Sequence, residues 1–231
     1  MNAIIPAMDQ MDQKETARVE AFSDGVFSIA ITLLVLGIKV PSIHDLLPGQ
    51  SLFQVLGTQW PSFLSYLISF FTILIMWVQH HRLFTLIKHI DLPFLYLNGF
   101  LLLIVTFVPF PTAVLAEHIQ HENARTAALL YTGTYVFIAL AYNALWHYAA
   151  WKRRLIGIRV PEKVIHEVTR QYLLGPTVFF AAFVLCYFQV LRRLIICGIC
   201  FREKCLLFDK ALGLHVNEFL LFYCGRAYTL E

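Results

Sequence analysis

Hydrophobic runs long enough to cross a lipid bilayer, separated by short charged stretches, dominate this chain. A helix needs about 20 consecutive apolar residues to cross a hydrocarbon core of about 30 Å. Five segments meet or approach that length, and stretches rich in charge, Pro or Gly separate them. The pattern therefore predicts an all-α, multi-pass membrane protein with five clear transmembrane helices, at about residues 18–40, 60–82, 92–115, 126–151 and 171–191.

Composition leads to the same class. Hydrophobic residues make up 58% of the chain and charged residues only 14%, whereas a soluble domain is about 25% charged. The net charge is only +3, and no basic–aromatic pattern or catalytic motif is present. We therefore expect the lipid bilayer as partner, no nucleic acid, no cofactor and no enzymatic activity.

The positions of Lys and Arg predict the orientation. Basic residues are concentrated before the first span, between the second and third, and between the fourth and fifth. The alternate loops carry only Lys39 and Arg125. Because basic loops stay in the cytoplasm, we expect residues 1–17 to be a polar cytoplasmic N-terminus and residues 18–191 to form a channel-like domain in the cell membrane.

Residues 192–231 do not continue the pattern. The apolar run 194–201 is too short to span, and the longer stretch 205–224 contains several charged side chains. We expect a sixth span to be defective or absent. The tail is a degraded helix, an amphipathic segment on the membrane surface, or the product of a shifted reading frame. Cys197, Cys200 and Cys205 have zinc-like spacing but lack a fourth ligand, so we predict no metal site.

The first span carries charges at its start. Only fourteen uncharged residues separate Asp24 from Lys39, and as a helix they cover about 21 Å, less than the core thickness. Asp24, and with it Arg18, is therefore expected near or inside one membrane boundary. An ionisable group there is costly and points to a functional site with a partner. The alternative is that Asp24 caps the helix or pairs with Arg18.

The same helix has an aliphatic stripe. At about 100° per residue, Ile29, Leu33 and Leu36 fall within a narrow arc, Thr32 lies beside it, and Asp24 points away. From the pattern alone this stripe faces lipid, packs in a core or lines a pore.

The second span ends in Trp77, two adjacent histidines and Arg82. Adjacent side chains on a helix point about 100° apart, so the histidines are poorly placed to hold one metal. One of them is expected to be solvated and the other buried and hydrogen-bonded. Because the first three spans share one membrane boundary here, we expect a common polar layer formed by Arg18, Asp24, Trp77, His81 and Asn98.

The motif Arg18-x-x-x-Phe22-Ser23-Asp24-Gly25 resembles that of the endosomal/lysosomal potassium channel family (transmembrane protein 175), in its prokaryotic single-repeat form. Residues 107–112, with two prolines, also resemble the family. The resemblance implies that Trp77 and His81 hydrogen-bond to the first helix. It also implies that first helices line the pore and that bulky aliphatic side chains form its narrowest part, which here are Ile29, Leu33 and Leu36.

With one motif per chain, the resemblance implies a pore formed by oligomerisation, as a homotetramer, with potassium as the permeant ion. No Thr-Val-Gly-Tyr-Gly loop is present, so a hydrophobic constriction that gates by dewetting replaces a ring of carbonyl groups. Two alternatives stay open. The chain is a proton-permeable channel, because His81 lies in the polar layer, or a non-conducting membrane scaffold, because the last helix is broken.

Overall fold

The computed structural model describes residues 4–42, 49–157 and 160–187, with side chains from Lys14 onward. Apart from an isolated bridge between Ile87 and Ile156, the regular structure in these ranges is helical. The helices are α1 (Ile4–Leu33), α2 (Leu52–Thr58), α3 (Trp60–Leu86), α4 (Leu92–Phe107), α5 (Pro109–His118), α6 (Ala124–Ala150) and α7 (Glu162–Tyr187). In the described ranges five stretches are long and apolar enough to cross a membrane, which confirms the predicted all-α, five-span architecture.

Helix α1 begins at Ile4, well before the predicted start of the first span at residue 18. The polar residues before Arg18 contain no Gly, and a Pro occurs only in the first turn, so nothing interrupts the helix before it enters the apolar segment. At its other end the α-helix stops at Leu33 and continues as a 3₁₀ turn over Leu34–Gly37. The charged residues mark the start of the apolar run, but the helix itself begins well before them.

The third span is interrupted at Val108, just before the two prolines Pro109 and Pro111. Pro109 has no N–H, so it cannot donate to the carbonyl of Val105. The N–H of Val108 donates to that carbonyl instead, at 3.1 Å, and α5 continues from Pro109. The two helices together form one span, Leu92–His118.

Helix α7 begins at Glu162, nine residues before the predicted start of the fifth span at 171. Its first turns are polar, so this helix, like α1, continues past the apolar segment. The predicted end of the fifth span at 191, the tail 192–231 with its proposed sixth helix, and Cys197, Cys200 and Cys205 lie outside the described residues.

Helix α6 lies at the centre of the bundle and packs against α4, α5 and α7, while α1 packs against α3 and α4. The core between these helices is closely filled by side chains with no exposed surface, such as Phe27, Ile73, Leu101, Ile138 and Trp146. Helix α1 therefore lies at the edge of the bundle, with one face packed and one face open.

The connections α3–α4 and α6–α7 meet at one end of the bundle, which we call the basic end. Their backbones pair: the N–H of Lys88 donates to Leu155 at 2.9 Å and that of Gly157 to Leu86 at 3.2 Å. Beside them Asp91 caps α4. Its carboxylate accepts from the Phe94 N–H at 3.1 Å, the Tyr148 hydroxyl at 2.7 Å and Arg154 Nε at 3.0 Å.

Candidate functional site

Helix α1 has two contrasting faces. The buried face is formed at helical spacing by Ser23, Phe27, Ala30 and Leu34. On the opposite face the apolar side chains are open: Phe22 is 67% exposed, Ile29 57%, Leu33 40% and Leu36 75%. The stripe predicted from sequence is therefore an uncovered apolar surface of the single chain.

The 3₁₀ turn that ends α1 determines where Leu36 lies. In a 3₁₀ segment, side chains three residues apart eclipse one another, so Leu36 follows Leu33 along the same line. Thr32 is also exposed, and its hydroxyl donates to the carbonyl of Ile29 at 2.9 Å. Because this bond uses the hydroxyl proton, the Thr32 oxygen can only accept further hydrogen bonds.

The buried face of α1 is fixed by a chain of hydrogen bonds centred on Asn98 of α4. The amide Nδ2 of Asn98 donates to Ser23 Oγ at 3.0 Å, and Ser23 donates to the carbonyl of Val19 at 2.8 Å. The Asn98 Oδ1 lies 2.9 Å from His80 Nε2. Since Oδ1 can only accept, Nε2 of His80 is the donor in this bond. These hydrogen bonds join three helices, α1, α3 and α4.

Two further hydrogen bonds join α3 to α1, one on each side of the hydrogen bonds centred on Asn98. Trp77 Nε1 donates to Asp24 Oδ1 at 2.8 Å, and His81 Nδ1 lies 2.7 Å from Glu20 Oε1. The Trp77 and His81 rings stack, with centroids 6.3 Å apart. Asp24 and Glu20 are one helical turn apart, so Trp77 and His81 bond to successive turns of α1. We call this set the polar anchor: Ser23, Asp24, Glu20, Trp77, His80, His81 and Asn98.

His80 was not singled out from the sequence. It has no exposed surface and lies between Phe27 and Phe84, with centroids 5.3 and 4.5 Å away. His81, the residue expected in the layer, is half-exposed and bonds to α1 through Glu20. The sequence feature that could have identified His80 is helical spacing. On the buried face of α3, His80 follows Met76 by four residues and Phe84 follows His80 by four.

Arg18 does not join the anchor. It lies six residues from Asp24, on the other side of the helix, and is exposed. In the described ranges no ion pair joins the two, so the alternative in which they pair is wrong. Arg18 projects within about 20° of Ile29, on the open face. Gly25 is also on this face, and a Cβ there would meet no atom of the chain within 4 Å.

The far end of α1 is held by an ion pair. Lys39 Nζ lies 2.8 Å from Glu117 Oε1 at the end of α5. The pair is exposed on both sides, with 72% and 56% of the side chains open, so it is a weak contact between the chain just after the 3₁₀ turn and α5. No group of three His, Cys, Asp or Glu side chains that could hold a metal ion occurs in the described part of the chain.

Comparison with known proteins assigns the family. Residues 18–109, from Arg18 through the proline break, match the family model described as endosomal/lysosomal potassium channel TMEM175. A curated relative from Chamaesiphon minutus, named Potassium channel Cha6605_3372, is 48% identical over 190 residues, covering 82% of this chain and 92% of the relative. The chain belongs to the TMEM175 family. The resemblance noted from the motif is thereby confirmed, and the family is one of ion channels, not enzymes.

A solved structure supports the assignment in three dimensions. The crystal structure of a lysosomal potassium-selective channel TMEM175 homolog from Chamaesiphon minutus matches with a TM-score of 0.77 and 44% identity, covering 87% of this chain and all of the other. An animal relative from Bos taurus, named endosomal/lysosomal proton channel TMEM175, is 31% identical over 144 residues. That match covers 60% of this chain and 29% of the relative.

Proposed function

We propose that this chain forms a potassium channel, which carries potassium ions passively across the cell membrane as a homotetramer with the α1 helices around the axis. The observation that carries the proposal is the contrast between the two faces of α1. One face is fixed to α3 and α4 by the polar anchor, and the opposite face is apolar and open. A single helix cannot enclose a pore, so several copies must supply the wall.

Ile29, Leu33 and Leu36, with Thr32 beside them, form the narrowest part of the pore in this arrangement. Rings of aliphatic side chains gate by dewetting, because a narrow apolar passage expels water and with it a hydrated ion. A cation crosses when the passage widens or when it sheds part of its hydration shell. Potassium holds its shell less tightly than sodium, so a modest preference for potassium follows without carbonyl ligands.

The polar anchor serves to set the rotation of α1. A rotation of one residue, about 100°, would replace Ile29 and Leu33 on the axis by other side chains. Hydrogen bonds to Glu20, Ser23 and Asp24, within about one turn of α1, oppose that rotation. These residues do not touch the ion.

In the proposed orientation the N-terminus is cytoplasmic. The basic end of the bundle carries Lys88, Lys152, Arg153, Arg154 and Lys163, and such residues are retained on the cytoplasmic side. Arg18 lies on the open face of α1, at the opposite end from Leu36. In this orientation it is at the cytoplasmic entrance of the pore.

Proton permeation is the second candidate function. Two observations favour it: the Nδ1 atom of buried His80 has no hydrogen-bond partner among the described residues, and animal relatives are named proton channels. Currents that persist with impermeant cations and follow the pH gradient would identify protons as the carried ion.

The decisive experiment is potassium flux in liposomes containing the purified full-length chain. Leu36→Ala removes the largest exposed part of the stripe, so we expect flux to rise several-fold over the unmodified chain. Val35→Ala is the matched control, because Val35 is a neighbouring exposed aliphatic residue off the stripe.

Equal flux for the two variants would show that Leu36 does not line the pore. Absence of potassium flux from every variant that assembles would favour the non-conducting scaffold. Crosslinking that yields no species above a dimer would contradict the tetramer while leaving the fold intact.

A further inference from the structure

A groove opens between α3, α6 and α7, near the basic end of the bundle. It encloses a cavity of about 90 Å³ whose wall is largely apolar, with two glutamines at one end; the lining includes Ile75, Ile138, Phe179, Gln79 and Gln171. At about 30 Å³ per water molecule the cavity has room for about three. A segment of alkyl chain suits this volume and this wall, and a polar headgroup does not.

A cation lies beside the groove. Arg82 follows Gln79 by three residues, so it is on the same face of α3, one turn closer to the basic end. At the level of Gln79 the hydroxyl of Tyr172, which also lines the groove, donates to the Gln79 carbonyl. The Nη1 atom of Arg82 is buried and no described residue accepts a hydrogen bond from it. The residue as a whole is partly exposed, and a guanidinium open to the bilayer at this depth favours an anionic oxygen as its partner.

We propose that this groove binds an anionic phospholipid, with part of one acyl chain in the cavity and the phosphate at Arg82. The depth is appropriate, because Arg82 lies four residues, or about 6 Å along the axis, from the end of α3 at Leu86. A guanidinium matches a phosphate with paired N–H donors, which an amide or a hydroxyl cannot do. The bilayer itself supplies the ligand.

The wall of the groove is preorganised. The Tyr172 hydroxyl donates to the carbonyl of Gln79 at 3.3 Å, and its ring stacks on Tyr142 and Trp146 with centroids 6.1 and 5.7 Å away. The Tyr142 hydroxyl donates to the carbonyl of Met76 at 2.7 Å. Since these side chains are already held, binding requires little further ordering of the protein.

Gly175 provides a way to fill the groove without disturbing the fold. It lines the cavity, and a Cβ at this position would meet no atom within 4 Å. Gly175→Leu therefore projects a side chain into the space that the acyl chain would occupy. Replacing a glycine within a helix also favours the helix.

The experiment measures lipid binding by the full-length chain in mild detergent. Phosphatidylglycerol and phosphatidylcholine with identical acyl chains are added separately, retained lipid is counted by native mass spectrometry, and the unfolding midpoint is recorded. A ligand that binds only the folded protein raises the midpoint. We expect phosphatidylglycerol to be retained and to raise the midpoint, and phosphatidylcholine to do neither.

Two variants and two controls locate the site. Arg82→Gln and Gly175→Leu are each expected to weaken phosphatidylglycerol retention at least about tenfold, equivalent to about 1.4 kcal/mol or more. Lys14→Gln removes the same charge from an exposed residue of α1, and Gly57→Leu fills open space on α2. Both controls are expected to retain lipid as the unmodified chain does.

Three outcomes would overturn the proposal. The first is equal retention of the two lipids, and the second is equal stabilisation by inorganic phosphate alone, which would indicate a simple anion site. The third is no effect of either lipid on the full-length chain, the result expected if the chain beyond Tyr187 fills the groove. None of these measurements depends on potassium flux, so the proposed channel function is tested separately.

Discussion

Asn143 of α6 donates a hydrogen bond from Nδ2 to the backbone carbonyl of Tyr172 in α7. In an uninterrupted helix that carbonyl would accept from the N–H of the residue four positions later, which here is Pro176. Proline has no N–H, so the carbonyl would be unsatisfied inside the bundle. A side chain from the neighbouring helix thus replaces the bond that the proline removes, and it joins α7 to α6 at that level.

This relationship predicts a dependence between the two positions. Asn143→Ala leaves the Tyr172 carbonyl without a donor, and we expect it to lower the free energy of unfolding by about 1–2 kcal/mol. In a Pro176→Ala background, the N–H of residue 176 can satisfy the carbonyl, so the same substitution should cost clearly less. A double-mutant cycle of unfolding in detergent measures this coupling.

Thr177→Ala is the control for the cycle, because Thr177 is exposed and its hydroxyl donates only within α7. Its cost should be small and independent of Pro176. Additive effects of Asn143→Ala and Pro176→Ala would mean that the side chain does not replace the missing helical bond.

The two adjacent histidines give the second prediction. His80→Leu removes the donor to the buried Oδ1 of Asn98, so we expect a loss of about 1–3 kcal/mol in unfolding free energy. His81→Leu breaks a half-exposed pair with Glu20, which is worth about 0–1 kcal/mol. Unfolding of the two variants, which have the same composition, measures the difference directly. A larger cost for His81→Leu would place the centre of the anchor elsewhere.

Sequence alone predicted the five spans, because a bilayer crossing demands about 20 apolar residues whatever the tertiary structure. It did not predict where α1 and α7 begin, since helices extend into water wherever the residues permit. It also placed Arg18 in the polar layer by depth, although Arg18 lies on the open face. Depth follows from counting residues, whereas rotation depends on which neighbouring helix packs against each face.

The choice between His80 and His81 shows the same difficulty. One residue changes the direction of a side chain by about 100°, and only the packing of α1 and α4 against α3 decides which direction is buried. The partners Glu20 and Asn143 could not be assigned for a similar reason. Each is an ordinary polar residue on its own helix, and its role depends on an atom of another helix.

Asp91 gives a prediction about pH. Burial acts to raise its pKa, but hydrogen bonds from the Tyr148 hydroxyl and the Phe94 N–H, together with Arg154, outweigh it and lower the pKa below the usual 3.8. Because the folded pKa is lowered, the ionised carboxylate stabilises the protein above the unfolded pKa. That stability is lost as the pH falls through the folded pKa.

The variant Asp91→Asn measures this contribution. We expect the unmodified chain to unfold at a higher temperature than the variant at about pH 6, and the difference to shrink as the pH falls below 3.8. Glu162→Gln is a control, because Glu162 is largely exposed where it pairs with Arg153. If the difference in unfolding temperature between the unmodified chain and Asp91→Asn stays constant over this pH range, the expected pH dependence is wrong.

Gly25 offers a test of the pore that is independent of Leu36. It lies on the open face of α1, and within one chain nothing surrounds its Cα closely enough to require glycine. If the α1 helices line a pore, a large side chain here narrows the passage one turn before Ile29. Gly25→Leu is therefore expected to lower potassium flux several-fold while the unfolding midpoint of the chain is unchanged or raised, since glycine weakens a helix interior. Gly25→Ala adds only a methyl group and should conduct nearly as the unmodified chain does. Full flux through an assembled Gly25→Leu channel would show that this face of α1 is turned away from the ion path.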